Sequence, residues 1–132
     1  MTKKIGPEER MQRNLCQHIK LRLRKDVIWF AVPNEGRRSL NYGARLKAMG
    51  LHPGVADLVF IPPGFQTCFM ELKIHPNKQT KNQVQFENDC LKNGSKYAVC
   101  YDIDAAVQQL IDWHVITESK SLIGHNSRRS AV

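Results

Sequence analysis

Residues 54–73 read GVADLVFIPPGFQTCFMELK. Two apolar runs, 57–61 and 67–74, flank the turn residues PPGFQ, which is the pattern of two strands joined in a hairpin. Three charges interrupt it: Asp57, Glu71 and Lys73. A charge in a half-buried strand is costly unless something pairs with it. With the hairpin symmetric about Gly64, opposed residues carry numbers summing to 128, so Asp57 faces Glu71, Val59 faces Phe69 and Ile61 faces Thr67. Opposed side chains share a face, and like charges there repel. Lys73 follows Glu71 by two residues and shares that face, whereas Leu72 and Ile74 point to the other and read as core. A divalent cation between the two carboxylates would reverse the sign of their interaction, since carboxylates, water and a substrate phosphate are how Mg²⁺ is commonly held. An ordinary salt bridge from Lys73 to Glu71 or Asp57 on an exposed sheet face accounts for part of the same pattern. A bulge in the turn would move Asp57 off the face.

Outward from the hairpin, Pro7 with Glu8 and Glu9 starts a helix of about 8–24, since proline suits the first position and acids the positive end of the dipole. Met11, Leu15 and Ile19 form its apolar stripe. VIWFAV (27–32) reads as a strand, and PNEGRRSLNYG (33–43) as a loop. A short helix over Ala44–Met49, closed by Gly50, precedes the hairpin. After it come a helix near 80–92 ending at Gly94, a strand KYAVCY (96–101) and an amphipathic helix Asp104–His114. The expected order is α-β-(α)-β-β-α-β-α, a mixed α/β sheet flanked by helices. One domain is expected over 1–115, followed by a flexible tail, 116–132, without periodicity. Trp29, Phe30, Phe86 and Trp113 lie on apolar faces and are expected in the core.

Charge is the strongest global signal, a formal net +8 in 132 residues. Residues 1–47 hold twelve Lys/Arg against four Asp/Glu, whereas the remainder balances at eight against eight. One electropositive face follows, with polyanions as its natural partner. Arg37, Arg38, Arg45 and Lys47 precede the hairpin and are candidates to grip phosphates, which carry no sequence information directly. The four cysteines form no CxxC pair and the five histidines miss zinc spacings, so a structural zinc site and a disulfide framework are both set aside. No apolar run approaches the ~20 residues that cross a bilayer, and MTKKIGPEER lacks the apolar centre of a signal peptide. No membrane association is expected, and a cytoplasmic location is the default.

Asp57, thirteen residues, then Glu71-Leu72-Lys73 resembles the D…ExK core of the PD-(D/E)XK nuclease superfamily. PNEGRRS, LKAMGLHPGVADLVF, FMELK and TKNQ, in this order, narrow the resemblance to the VRR-NUC family of virus-type replication and repair nucleases. It covers about residues 8–110. The resemblance implies a restriction-endonuclease-like fold and Mg²⁺- or Mn²⁺-dependent hydrolysis of phosphodiesters in DNA. Small stand-alone members look related to Holliday-junction resolvases and are often homodimers, so branched DNA is the implied partner, in a host cytoplasm if the source is viral. It assigns Asp57 and Glu71 as metal ligands, Leu72 as a backbone-carbonyl ligand, and Lys73 as the catalytic lysine. Gln83 matches the glutamine after the second active-site strand, and in EERMQ, Glu8 and Gln12 match a first-helix acid and its glutamine. Ala56 departs from the pattern, standing where the family usually has proline.

Gln83 has a second explanation, because Thr80-Lys81-Asn82-Gln83 fits a capping box, and Glu8 has one in the helix dipole. His52 and His75 each adjoin a proline in a turn and read as exposed turn residues rather than bases. The rival to an endonuclease is a non-catalytic basic α/β module that binds structured DNA or RNA by shape. It predicts no metal requirement and leaves the opposed carboxylates unexplained. An enzyme of the same fold acting on RNA differs only in substrate.

Overall fold

The computed structural model describes residues 4–33 and 40–118. Helix α1 (Pro7–Arg22) has proline in its first turn, Glu8 and Glu9 beside it, and Lys20 and Arg22 in its last turn, so both ends complement the dipole. Met11, Leu15 and Ile19 are buried. Leu23 leaves the helix in an extended conformation and bridges to Ile116. Strand β1 (Ile28–Ala31) follows, then α2 (Leu40–Ala48), β2 (Leu58–Ile61), β3 (Cys68–Leu72), α3 (Lys81–Lys92), β4 (Lys96–Cys100) and α4 (Ile103–Asp112). The order matches the expected one, with α2 beginning earlier than the sequence suggests.

The four strands form one mixed sheet in the order β1-β2-β3-β4. β1–β2 and β2–β3 are antiparallel, whereas β3 and β4 run parallel. That parallel pair requires a crossover, which α3 supplies. The hairpin register is the symmetric one, pairing Leu58 with Met70, Val59 with Phe69 and Phe60 with Cys68.

This register separates the sheet into two chemically distinct faces. On one, Leu58, Phe60, Cys68, Met70, Leu72 and Cys100 pack against Met11, Leu15 and Ile19 of α1 and Ala106, Leu110 and Trp113 around α4. Each fully buried aliphatic side chain here contributes on the order of 1.5–3 kcal/mol. On the other, Phe69 and Tyr97 meet Phe86 of α3, with ring centroids 5.3 and 6.2 Å from it. Glu71 and Lys73 share this second face by strand alternation.

Phe30 is not in the core. It is 48% exposed on β1, opposite Val59 on the edge of the sheet. Trp29, one residue earlier, points the other way and stacks on Phe60. The core extends through Val115 and Ile116, both fully buried, one residue past the expected domain end. Of the expected tail, residues 119–132 lie outside the described part. All four cysteines are free, and three of them are buried. Among the described residues no helix is long and apolar enough to cross a membrane.

Candidate functional site

The second sheet face carries the charges that interrupt the hairpin sequence. Glu71 is only 1% exposed and Lys73 9%. One carboxylate oxygen of Glu71, Oε1, accepts two hydrogen bonds, from the Tyr97 hydroxyl at 2.8 Å and from Gln79 Nε2 at 3.1 Å. The other, Oε2, is buried with no hydrogen-bond partner. Lys73 Nζ lies 3.7 Å from it, an ion pair beyond hydrogen-bond reach. Burial, and then the bond to Glu71, hold the Tyr97 phenol well above its ordinary range. Tyr97 therefore remains an O–H donor at any working pH.

Asp57 stands at the start of β2. Its carbonyl accepts the Val32 N–H at 2.9 Å, and its carboxylate Oδ2 accepts the Leu72 N–H at 2.7 Å. The side chain thus takes over the cross-strand bond just where the β2–β3 ladder ends at Leu58. The carboxyl is lifted from 3.8 to about 6, chiefly by burial; the Leu72 N–H opposes this, the charges of Glu71 and Glu8 add to it, and Lys73 offsets part. Glu71, Lys73 and Glu8 are therefore each within electrostatic reach of Asp57. The sequence places them over 66 positions, from 8 to 73, and the fold collects them.

Asp57 opens onto a cavity of about 560 Å³, bordered also by His52, Pro53, Gly54, Thr80 and Gln83. Glu71 and Lys73 do not border it. Gln83 makes both bonds of a capping box with Thr80, its Oε1 accepting the Thr80 N–H at 2.8 Å. Gln83 thus caps α3 and also borders the cavity onto which Asp57 opens. Gly54 has φ +81°, and a Cβ there would overlap the Asn82 carbonyl and approach Gln83 N to 2.8 Å. Only glycine lets the loop before Asp57 lie this close on the start of α3. His52 and His75 are exposed, His52 meeting the Phe86 ring edge-on at 5.5 Å.

Arg45 and Lys47 are exposed in the last turn of α2. Arg37 and Arg38 lie outside the described residues. Two residues that touch the charged cluster, Tyr97 and Gln79, are not singled out by their sequence. Tyr97 and Gln79 bind Glu71 directly, and Gln79 Nε2 also donates to Glu87 Oε1 at 3.0 Å, tying the loop to α3. A polar-tipped aromatic in a strand is the available signal for Tyr97; nothing in NKQTKNQ distinguishes Gln79 from its neighbours.

Among the described residues, no three His, Cys, Asp or Glu side chains converge as a ready cation cage. The donors are instead two carboxylates, all oxygen, with one buried oxygen unsatisfied and a second carboxyl held high by burial. That set fits a small hard divalent ion that keeps several waters, and it does not fit zinc.

No protein-family model and no curated protein matches the chain. Solved structures do. One described as a VRR_NUC domain protein superposes with a TM-score of 0.67 at 21% identity, covering 91% of this chain and 100% of its own. A second, described as a VRR_NUC domain, gives a TM-score of 0.54 at 20% identity over 82% of this chain and 97% of its own. The chain therefore has the fold of VRR_NUC domain proteins, and both structures bear the description of the family that the sequence motifs resemble.

Proposed function

We propose that this chain is a divalent-metal-dependent nuclease of the VRR-NUC, PD-(D/E)XK type that hydrolyses phosphodiester bonds in DNA. One observation carries the reading. On the motif's own sheet face, a buried carboxylate oxygen without a hydrogen-bond donor, Glu71 Oε2, sits beside the buried cation of Lys73. Leaving such an oxygen unsatisfied costs on the order of 1–3 kcal/mol or more for a charged group, which a structural salt bridge alone does not require. The VRR_NUC description of structures sharing this fold points the same way.

Asp57 and Glu71, with the Leu72 carbonyl, would hold Mg²⁺ or Mn²⁺. When bound, such an ion polarises a scissile phosphate and lowers the pKa of a coordinated water. Lys73 supplies a fixed ammonium that steadies charge gathering on the phosphate or orients the attacking water. Asp57 must shed its proton to act as a ligand, which its carboxyl at about 6 allows at neutral pH. Glu8 adds negative charge beside Asp57, and Gln83 holds the α3 end of the cavity wall. Arg45 and Lys47, with Arg37 and Arg38, provide the phosphate contacts that retain the strand. Selectivity for branched DNA of the Holliday-junction kind, and a two-fold homodimer to cut paired strands, belong to the same proposal, because one such subunit offers one active site.

The test is cleavage of labelled four-way junction, flap, single-stranded and linear duplex DNA with Mg²⁺, Mn²⁺ or EDTA, alongside Glu71→Ala. Metal-dependent cutting lost in the variant is the expected result. Tight binding without cutting in either metal would instead favour a non-catalytic module that recognises structured nucleic acid.

A further inference from the structure

The two oxygens of Glu71 are not equivalent. Oε1 is committed twice, to the Tyr97 hydroxyl and to Gln79 Nε2, and Oε2 is committed to neither. Both donors are themselves anchored. Tyr97 packs against both Phe69 and Phe86, with centroids 6.5 and 6.2 Å away. The second amide proton of Gln79 is used by Glu87 on α3. A carboxylate clamped in this way cannot rotate to offer both oxygens without breaking two hydrogen bonds in a buried setting.

We propose that Tyr97 and Gln79 are positioning residues that set ion selectivity: by occupying Oε1 they restrict Glu71 to binding through Oε2 alone. This rests on Glu71 being a metal ligand, as argued above. Mg²⁺ and Mn²⁺ suit octahedral sites with single-oxygen ligands and retained water, whereas Ca²⁺ favours six to eight oxygens and readily takes a carboxylate through both. The clamp therefore selects against Ca²⁺. Releasing Oε1 lets Glu71 rotate and bind through both oxygens.

The experiment measures Mn²⁺ and Ca²⁺ affinity of the intact protein without DNA, by isothermal titration calorimetry, for the wild type, Tyr97→Phe, Gln79→Leu and Glu71→Gln. Tyr97→Phe deletes one hydroxyl and keeps the ring packed against its aromatic neighbours, so it decides the matter if Gln79→Leu folds poorly. Outer-shell substitutions commonly change metal affinity by about 10–100-fold. The expected result is a loss of Mn²⁺ affinity of about tenfold with Ca²⁺ affinity held or raised, so that the Ca²⁺/Mn²⁺ preference moves by about tenfold or more. An equal loss for both ions would make the pair merely structural and overturn the proposal, as would unchanged affinities. Glu71→Gln separates the two levels of argument. If it abolishes Mn²⁺ binding while Tyr97→Phe leaves selectivity unmoved, the clamp alone fails. If Glu71→Gln binds Mn²⁺ like the wild type, the ligand assignment fails and the clamp with it.

Discussion

Replacing Asp57 by Asn should make the metal-free protein more stable while removing its activity. The carboxyl is lifted from 3.8 to about 6, first by burial and then by the charges of Glu71 and Glu8. A folded-state value above the unfolded one means that the native state binds the proton more tightly between those two values. Stability is therefore greatest below about 4, falls as pH rises through the window, and is level again above about 6. At pH 8 both states are ionised and the fold carries a penalty of about 2–3 kcal/mol, allowing for the part of the side chain that solvent reaches. Asn is isosteric, its amide oxygen can still accept the Leu72 N–H now held at 2.7 Å, and it carries no charge to bury. Urea unfolding in EDTA is the assay. With a slope near the lower half of the ordinary range for small domains, the variant's midpoint at pH 8 should rise by roughly 1–2 M. At pH 4, where the native wild-type carboxyl is already protonated, the gain should shrink below about 1 kcal/mol. Saturating Mg²⁺ at pH 8 should stabilise the wild type and not the variant, since a ligand bound only by the native state adds stability by mass action. A variant less stable than wild type at pH 8, or a gain that does not change with pH, would refute the reasoning.

Lys73→Met should abolish cleavage and lower metal-free stability by about 3 kcal/mol, because it strands the buried Glu71 carboxylate; urea melts with and without Mg²⁺ would check this, with part of the loss recovered by the ion. Arg45→Ala with Lys47→Ala should weaken DNA binding and flatten the log–log salt dependence by up to about 2, near 0.9 for each phosphate no longer neutralised; anisotropy titrations from low to moderate salt would check it, and an unchanged slope would remove both from the interface. Gly54→Ala should cost more than about 2 kcal/mol, the left-handed conformation adding about 1–2 to a backbone overlap, and it should reduce metal affinity as well by lifting the Asp57 loop from α3; thermal melts paired with Mn²⁺ titration would show both losses.

The hairpin is legible because its information is local. A turn centred on Gly64 and a two-residue pleat suffice to pair Leu58 with Met70 and Val59 with Phe69, and parity then puts Glu71 and Lys73 on one face with Leu72 on the other. The fold class follows from the element order for the same reason. Tyr97 is not legible because its contact depends on the register of a parallel pair, and Gln79 is not because it reaches Glu71 from the loop before α3. Glu71 stands beside Val99 and Phe69 beside Tyr97, and that offset is set by how α3 crosses over, which no turn signal fixes. Phe30 is misplaced by a rule that works for central strands: in VIWFAV an apolar run reads as buried on both faces. β1 is an edge strand, and α3 packs over β3 and β4 instead, so among the described residues the run is covered on one face only. Whether an apolar strand is central or at an edge is a property of its neighbours.

The division between the two sheet faces also explains how so costly a cluster is tolerated. Leu15, Ile19, Phe60, Met70 and Leu110 are fully buried on the face away from the charges, and each contributes about 1.5–3 kcal/mol independently of pH and metal. Against this stand a raised carboxyl at Asp57 and an unsatisfied oxygen at Glu71, each costing on the order of a few kcal/mol. The α1–sheet–α4 core contains no carboxylate and does not depend on an ion, so the protein should fold metal-free and bind the proposed metal second. Zinc-dependent small domains behave the other way, unfolding when chelated. On the proposed function, the cluster keeps its cost because the groups that would relieve it internally, a second donor on Glu71 Oε2 or an amide at position 57, would also use up the charge and hydrogen-bonding capacity that an ion would need.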